Sequence, residues 1–150
     1  MTLYGILVLV HVLSAILGMG PGFVMTYIAM KATTMTELKH AYYLRHRLHI
    51  FVMIGGTLLL ITGLAMGFIN RYLFSAGWYV TSLLLFLVAL AFGPFVLSPR
   101  SRPIKQLLHE HNGEQIPQQY FPLSQRLFFY EHIINIIFLI IIVLMVMKPF

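Results

Sequence analysis

Three histidines stand in otherwise apolar stretches, and imidazole is the side chain of this protein best able to move a proton or ligate a metal near neutral pH. They are His11 in LVLVHVLSA, His49 in RLHIFV and His132 in FFYEHIINI. Read at about 100° per residue, His11 heads a helical stripe with Ala15, Gly18 and Gly22, and Ser14 lies alongside. His49 heads a second stripe with Met53, Gly56, Leu60, Gly63 and Gly67. In the last apolar segment His132 and Asn135 lie about 60° apart and can face one way, whereas Glu131 points roughly 100° from His132, toward the interface or a basic partner.

Small-residue stripes let helix backbones approach, and Gly63 and Gly67 have the Gly-x-x-x-Gly spacing of packed membrane helices. A flat, bulky ligand lying against smooth faces, with imidazoles above and below it, is the other reading of the same pattern. Haem b fits that description, held non-covalently because the chain has no cysteine. The candidate site is then His11, His49 and His132 as iron ligands, two of the three being used, with Ser14, Gly18, Gly56 and Asn135 around the ring. Asn135 or Glu131 is suited to orient an imidazole. A helical rise of 1.5 Å per residue puts His11 about 12 Å from one edge of the hydrocarbon core and about 18 Å from the other. By the same count His132 lies about 8 Å inside that second edge and His49 close to it. His46 is a reserve ligand one turn before His49, and His40, His109 and His111 read as solvated.

The elements that must position these groups follow from composition. Of 150 residues, 59% are hydrophobic and 9% charged, and the mean hydropathy of +0.87 places the chain in a bilayer. Four apolar runs are long enough to span it: Leu3–Met30, Ile50–Ile69, Trp78–Leu97 and Leu127–Met147. The first is too long for a secretory signal and reads as a retained helix. The expected fold is all-α, an integral-membrane four-helix bundle forming one domain over residues 1–150, its first helix kinked or broken at Pro21. Residues 35–49 read as a helical approach to the second span. Prolines 99, 103, 117 and 122 and Gly113 punctuate the second long connection, and a short interfacial helix is expected over residues 104–111.

Charge sets the expected orientation. The two long connections hold Lys31, Lys39, Arg45, Arg47, Arg100, Arg102, Lys105 and Arg126, against Arg71 and Lys148 on the other side. That bias puts the connections in the cytoplasm and both termini outside. The net charge of +6 is therefore loop topology, and nucleic acid is not an expected partner. Methionines not sharing a face read as packing rather than copper ligands. The third span carries no ionisable group except Tyr79 and reads as scaffold, and no nucleophile-and-base arrangement points to hydrolysis.

The stretches LVLVHVLSAILGMG, RLHIFVMIGGTLLLITGLAMG and IIIVLMVMKPF resemble a bacterial integral-membrane family, domain of unknown function 2269, and more distantly the HemJ-type protoporphyrinogen oxidases and the copper-resistance D-type membrane domains. The HemJ-type resemblance implies a b-type haem on the first-helix histidine, here His11, and oxidation of a porphyrinogen. Those enzymes also use a lysine in the third span, and residues 78–97 contain none. The expected function is a haem-b membrane protein of the bacterial cytoplasmic membrane, working in redox chemistry or electron transfer with a quinone or another redox membrane protein. Partners beyond the lipid bilayer include a second copy of the chain as a homo-oligomer. A cofactor-free membrane subunit or small transporter component is the alternative, and HemJ-like porphyrinogen oxidation the second.

Overall fold

The structure is a computed structural model that describes residues 2–150. Lipid offers backbone amides no hydrogen bonds, so apolar runs of this length close their own ladders as helices. The described residues form α1 (Leu3–Met30), α2 (Met35–Ile69), α3 (Gly77–Phe92), α4 (Ser98–Glu110) and α5 (Tyr120–Met147). A π-helical turn over Gly93–Leu97 joins α3 to α4, so four helical rods are long and apolar enough to cross a membrane. Val12, Ile16, Ile61, Leu84 and Val143 are exposed along them and form part of the lipid-facing surface. Below, the end carrying both long connections is the basic end, and the other is the terminal end.

Helices α1 and α2 form an antiparallel hairpin. Thr34 caps α2 by accepting from the Glu37 backbone N–H at 3.2 Å, and the Glu37 carboxylate accepts from the Thr33 N–H at 2.8 Å and its hydroxyl at 2.9 Å. This reciprocal capping starts α2 immediately after the turn. The two helices then meet backbone to backbone. A Cβ on Gly18 would lie 2.8 Å from Gly56 N, and one on Gly55 would lie 2.7 Å from Gly18 Cα. Residues 35–49 are the helical approach expected, and α2 runs unbroken from Met35, its first turns projecting beyond the span at the basic end.

The break expected at Pro21 is absent. Helix α1 continues through it to Met30. A proline removes one ladder hydrogen bond, and neighbouring helices make that tolerable in a membrane. Here α2 packs against the preceding turn at Gly18, and Asn135 of α5 donates to the Gly22 carbonyl at 3.4 Å. The turns expected at Pro99 and Pro103 are also helix. Pro94 lies in the π-turn, where the ladder is already rearranged, and Pro99 falls in the first turn of α4, where no N–H is required. Side chains supply further donors, Arg100 Nη1 to Val96 O at 3.0 Å and Ser101 Oγ to Ser98 O at 3.0 Å. The helix anticipated over residues 104–111 thus starts earlier and continues the third span. The chain does turn at Gly113, whose φ of 127° suits glycine, and at Pro117, whose carbonyl accepts from Tyr120 N at 3.0 Å.

Core packing follows the rods. Met35, Leu38, Tyr42, Ile104, Leu108, Tyr120 and Leu127 cluster at the basic end, and Met19, Leu59, Phe86 and Ile141 at mid-bundle. Met66, Leu73, Ala76 and Tyr79 cluster at the terminal end, where the Phe150 carbonyl accepts from the Trp78 N–H at 3.1 Å.

Gly55→Ala should force α1 and α2 apart and destabilise the bundle by about 1–3 kcal/mol, the usual cost of overpacking. Gly20→Ala meets nothing within 4 Å and should be neutral or more stable. Reversible unfolding in mixed micelles checks the pair.

Candidate functional site

His11 lies half-buried against α2. Its Nδ1 is 2.8 Å from the Thr62 hydroxyl, and its Cε1 packs 3.2 Å from where a Cβ on Gly63 would be. Thr62 Oγ1 lies 2.7 Å from the Leu58 carbonyl, to which it donates. A hydroxyl has one hydrogen, so with that hydrogen on Leu58 the Thr62 oxygen accepts from Nδ1–H. That arrangement assigns the His11 proton to Nδ1 and leaves the lone pair to Nε2.

That ring lines a cavity of about 460 Å³ between the α1/α2 hairpin and the α3/α5 pair. The walls are largely apolar, with Ala15, Met19, Leu59, Phe86 and Ile141 prominent, and Met145 lines it as well. Two hydroxyl side chains from α3 also line it, Tyr79 and Ser82. Tyr79 donates to the Gly63 carbonyl at 2.7 Å and is committed to structure. Ser82 is not. It is fully buried, and among the described residues its Oγ is the buried side-chain polar atom with no hydrogen-bond partner. An unpaired buried hydroxyl costs roughly 1–3 kcal/mol. The cavity thus presents one acceptor, His11 Nε2, in an otherwise apolar enclosure, with the unsatisfied Ser82 hydroxyl closed into its α3 side, the usual make-up of a small-molecule site.

A second polar cluster closes the bundle toward the basic end. Arg45 forms an ion pair with Glu131, and Thr26 donates to the same carboxylate. Arg45 Nη1 also donates to the Met25 carbonyl at 3.0 Å, and the guanidinium lies 5.1 Å from the Tyr42 ring centroid. The Tyr42 and Tyr120 hydroxyls are 3.3 Å apart. Side-chain exposures of 9% for Arg45 and 12% for Glu131 make this a buried pair tying α1, α2 and α5 together. Glu131 thus finds a basic partner. Arg45, assigned in sequence to the topology charges, is inside the bundle.

The remaining sequence candidates divide by position. Ser14 is buried, but its hydroxyl donates to Val10 O at 2.6 Å on its own helix. Gly18 is filled by α2, and Gly56 faces Leu90 and Phe86 beyond 3.5 Å, so this stripe is helix contact rather than an open groove. Asn135 is half-buried on Gly22. His49 and His132 are exposed, as is Met53 at 60%. With His11 opposite Thr62, His49 lies about 20 Å farther along α2 at 1.5 Å per residue. Asn135 opposite Gly22 puts His132 about 20 Å from His11 by the same rise. His11 therefore cannot share one iron with either of them. Ser82 and Tyr79 were missed because the third span reads as uniform apolar scaffold. The sequence signal for Arg45 was its place seven residues after Leu38, on the face of Leu38, Ala41 and Tyr42.

A family model described as a predicted integral membrane protein (DUF2269) matches residues 5–149, and the chain belongs to that family. No curated protein and no solved structure matches it.

Removing one partner of the Arg45–Glu131 pair leaves a buried charge, so Glu131→Leu alone should destabilise the bundle by about 3–5 kcal/mol. Arg45→Met combined with Glu131→Leu should recover much of that loss. Unfolding of the two variants in mixed micelles, compared with the unsubstituted chain, measures the difference.

Proposed function

We propose that this protein takes a lipid-soluble quinone from the bilayer into the cavity beside His11 and works in redox chemistry at a bacterial cytoplasmic membrane. With Arg45 paired inside the bundle, the seven-to-two bias of the remaining cations supports an orientation with both connections in the cytoplasm and both termini, with the cavity near them, toward the outside. The observation that carries the reading is that one apolar cavity is lined by His11 from α1 and by Ser82, whose hydroxyl has no partner, from α3. A quinone headgroup matches both. Turned from its closed position toward the cavity, the Ser82 hydroxyl donates to a carbonyl oxygen, and His11 Nε2 accepts from the hydroxyl of the reduced form. Oxidation of a quinol releases two electrons and two protons. His11 Nε2 takes one of those protons, the other goes to water at the terminal end, and both electrons pass to another redox membrane protein. Thr62 holds the imidazole in the tautomer this requires.

Haem b is the second reading, favoured by the same tautomer, since a ring held through Nδ1–H offers Nε2 to iron. His11 is the lining residue that would hold the haem iron, through Nε2. Met19, Met145 and Tyr79 are the other lining side chains able to ligate iron, Tyr79 being held on the Gly63 carbonyl, and bound haem would supply one-electron chemistry. It would leave Ser82 without a defined role. HemJ-like porphyrinogen oxidation takes no support from α3, which contains no lysine.

Trp78, the one tryptophan, stacks edge-on to Tyr79 at 6.1 Å and reports on the cavity. Titrating the purified full chain with decylubiquinone should quench it saturably, and His11→Ala or Ser82→Ala should each weaken binding roughly tenfold, the worth of one buried hydrogen bond. A Soret band in protein from haem-replete cells, lost in His11→Ala and kept in His49→Ala and His132→Ala, would replace quinone by haem. Absence of both signals would contradict both readings and leave a cofactor-free subunit, with His11 to Thr62 a purely structural bond.

A further inference from the structure

At the basic end a second cavity, about 300 Å³, lies between the start of α2 and α4. Lys39, Tyr42 and Tyr43 line it from α2, and Lys105, Leu108 and His109 from α4. Two lysines facing one cavity repel each other unless an anion lies between them, and the chain has four carboxylates that could supply one. Each is engaged elsewhere. Glu37 closes the α2 cap, Glu110 accepts from Gln106, Glu114 accepts from Thr36, and Glu131 pairs with Arg45. Among the described residues Arg45–Glu131 is the one ion pair, so neither lysine has a carboxylate partner. The Lys39 ammonium donates to the His111 carbonyl at 3.3 Å, which holds it in place without neutralising it.

The surroundings say where this cavity sits. Tyr27 and Tyr43 are exposed at 60% and 55%, and each carries a cation over its ring, Lys31 at 5.3 Å and Arg47 at 5.6 Å. Exposed tyrosines beside basic residues mark the headgroup level of a membrane protein, and Tyr43 lines the cavity itself. Leu108 and the Tyr42 ring give it an apolar floor, which the aliphatic stems of the two lysines can follow while their ammonium groups reach its mouth.

We propose that Lys39, Lys105 and His109 form a binding site for a phosphate group, presented by an anionic phospholipid or as free phosphate. The lysines supply charge, and His109 and the Tyr43 hydroxyl supply further hydrogen-bond donors. Basic cavities between helices at a membrane surface take phosphate headgroups in this way. The site shares no residue with the cavity at the terminal end, so it does not depend on the redox reading.

Native mass spectrometry of the full chain released from detergent, titrated with phosphatidylglycerol, phosphatidylcholine or inorganic phosphate, tests it. Phosphatidylglycerol should bind in preference to phosphatidylcholine, and Lys39→Gln combined with Lys105→Gln should weaken it about 10- to 30-fold, roughly a tenfold factor or less for each lysine. Lys31→Gln with Arg126→Gln removes the same charge elsewhere at the same end and should change binding little. Inorganic phosphate bound as tightly as phosphatidylglycerol, and lost in the Lys39/Lys105 variant, would support the site with free phosphate as its ligand. Equal binding by the Lys39/Lys105 variant and the unsubstituted chain, or equal loss in the Lys31/Arg126 variant, would overturn the proposal.

Discussion

Helices α1 and α2 touch backbone to backbone at Gly18 and Gly55, and the polar contacts between them take their register from that crossing. Two antiparallel helices pinned at one point have their facing residues determined by the 1.5 Å rise in both directions. Toward the termini the register brings His11 onto Thr62 and Gly63. Toward the connections it brings Met25 and Thr26 level with Arg45. In lipid, where apolar association between helices contributes little, such close contact does the work that hydrophobic burial does in water.

Polar atoms inside the bundle are few, and nearly every one is used. Thr62, Tyr79, Arg45, Glu131 and Asn135 each bond to another element or to a backbone carbonyl, as expected where an unpaired group has no water to turn to. Ser82 breaks this rule beside the cavity that the free nitrogen of His11 also lines. The contrast separates scaffold from site. Arg45 and Glu131 are satisfied by each other and have no role left to fill. His11 and Ser82 are held in position but not used up. The cavity toward the terminal end is walled by side chains from all four rods.

The helical rods were legible because apolar length is a direct physical requirement of the bilayer. His11 was legible because a lone imidazole in such a run is costly and needs a reason. The outward placement of His49 was not. On a helical wheel it shares a stripe with Gly56, but the crossing is centred on Gly55 as well, which rotates Met53 and His49 toward the outside. Arg45 was hidden by its company, one cation among several in a basic connection, although its spacing from Leu38 and Tyr42 marked the buried face. Ser82 was invisible for a different reason. A serine in an apolar span is unremarkable until the packing of α3 against α5 shows that nothing reaches its hydroxyl. The helix continues through Pro21, Pro99 and Pro103 because helix-breaking rules written for water weaken where neighbouring helices and local π-turns absorb the lost bond.

The central claim is that His11 holds its proton on Nδ1 and keeps Nε2 open to a ligand in the cavity. Nitrogen NMR of the full chain labelled at histidine, before and after addition of decylubiquinone, reads that nitrogen directly. The account predicts an unprotonated Nε2 on His11 that shifts on addition, with His49 and His132 unmoved and the His11 signal altered in Thr62→Val. A proton on Nε2 in the free protein, or a His11 resonance indifferent to the ligand, would contradict it.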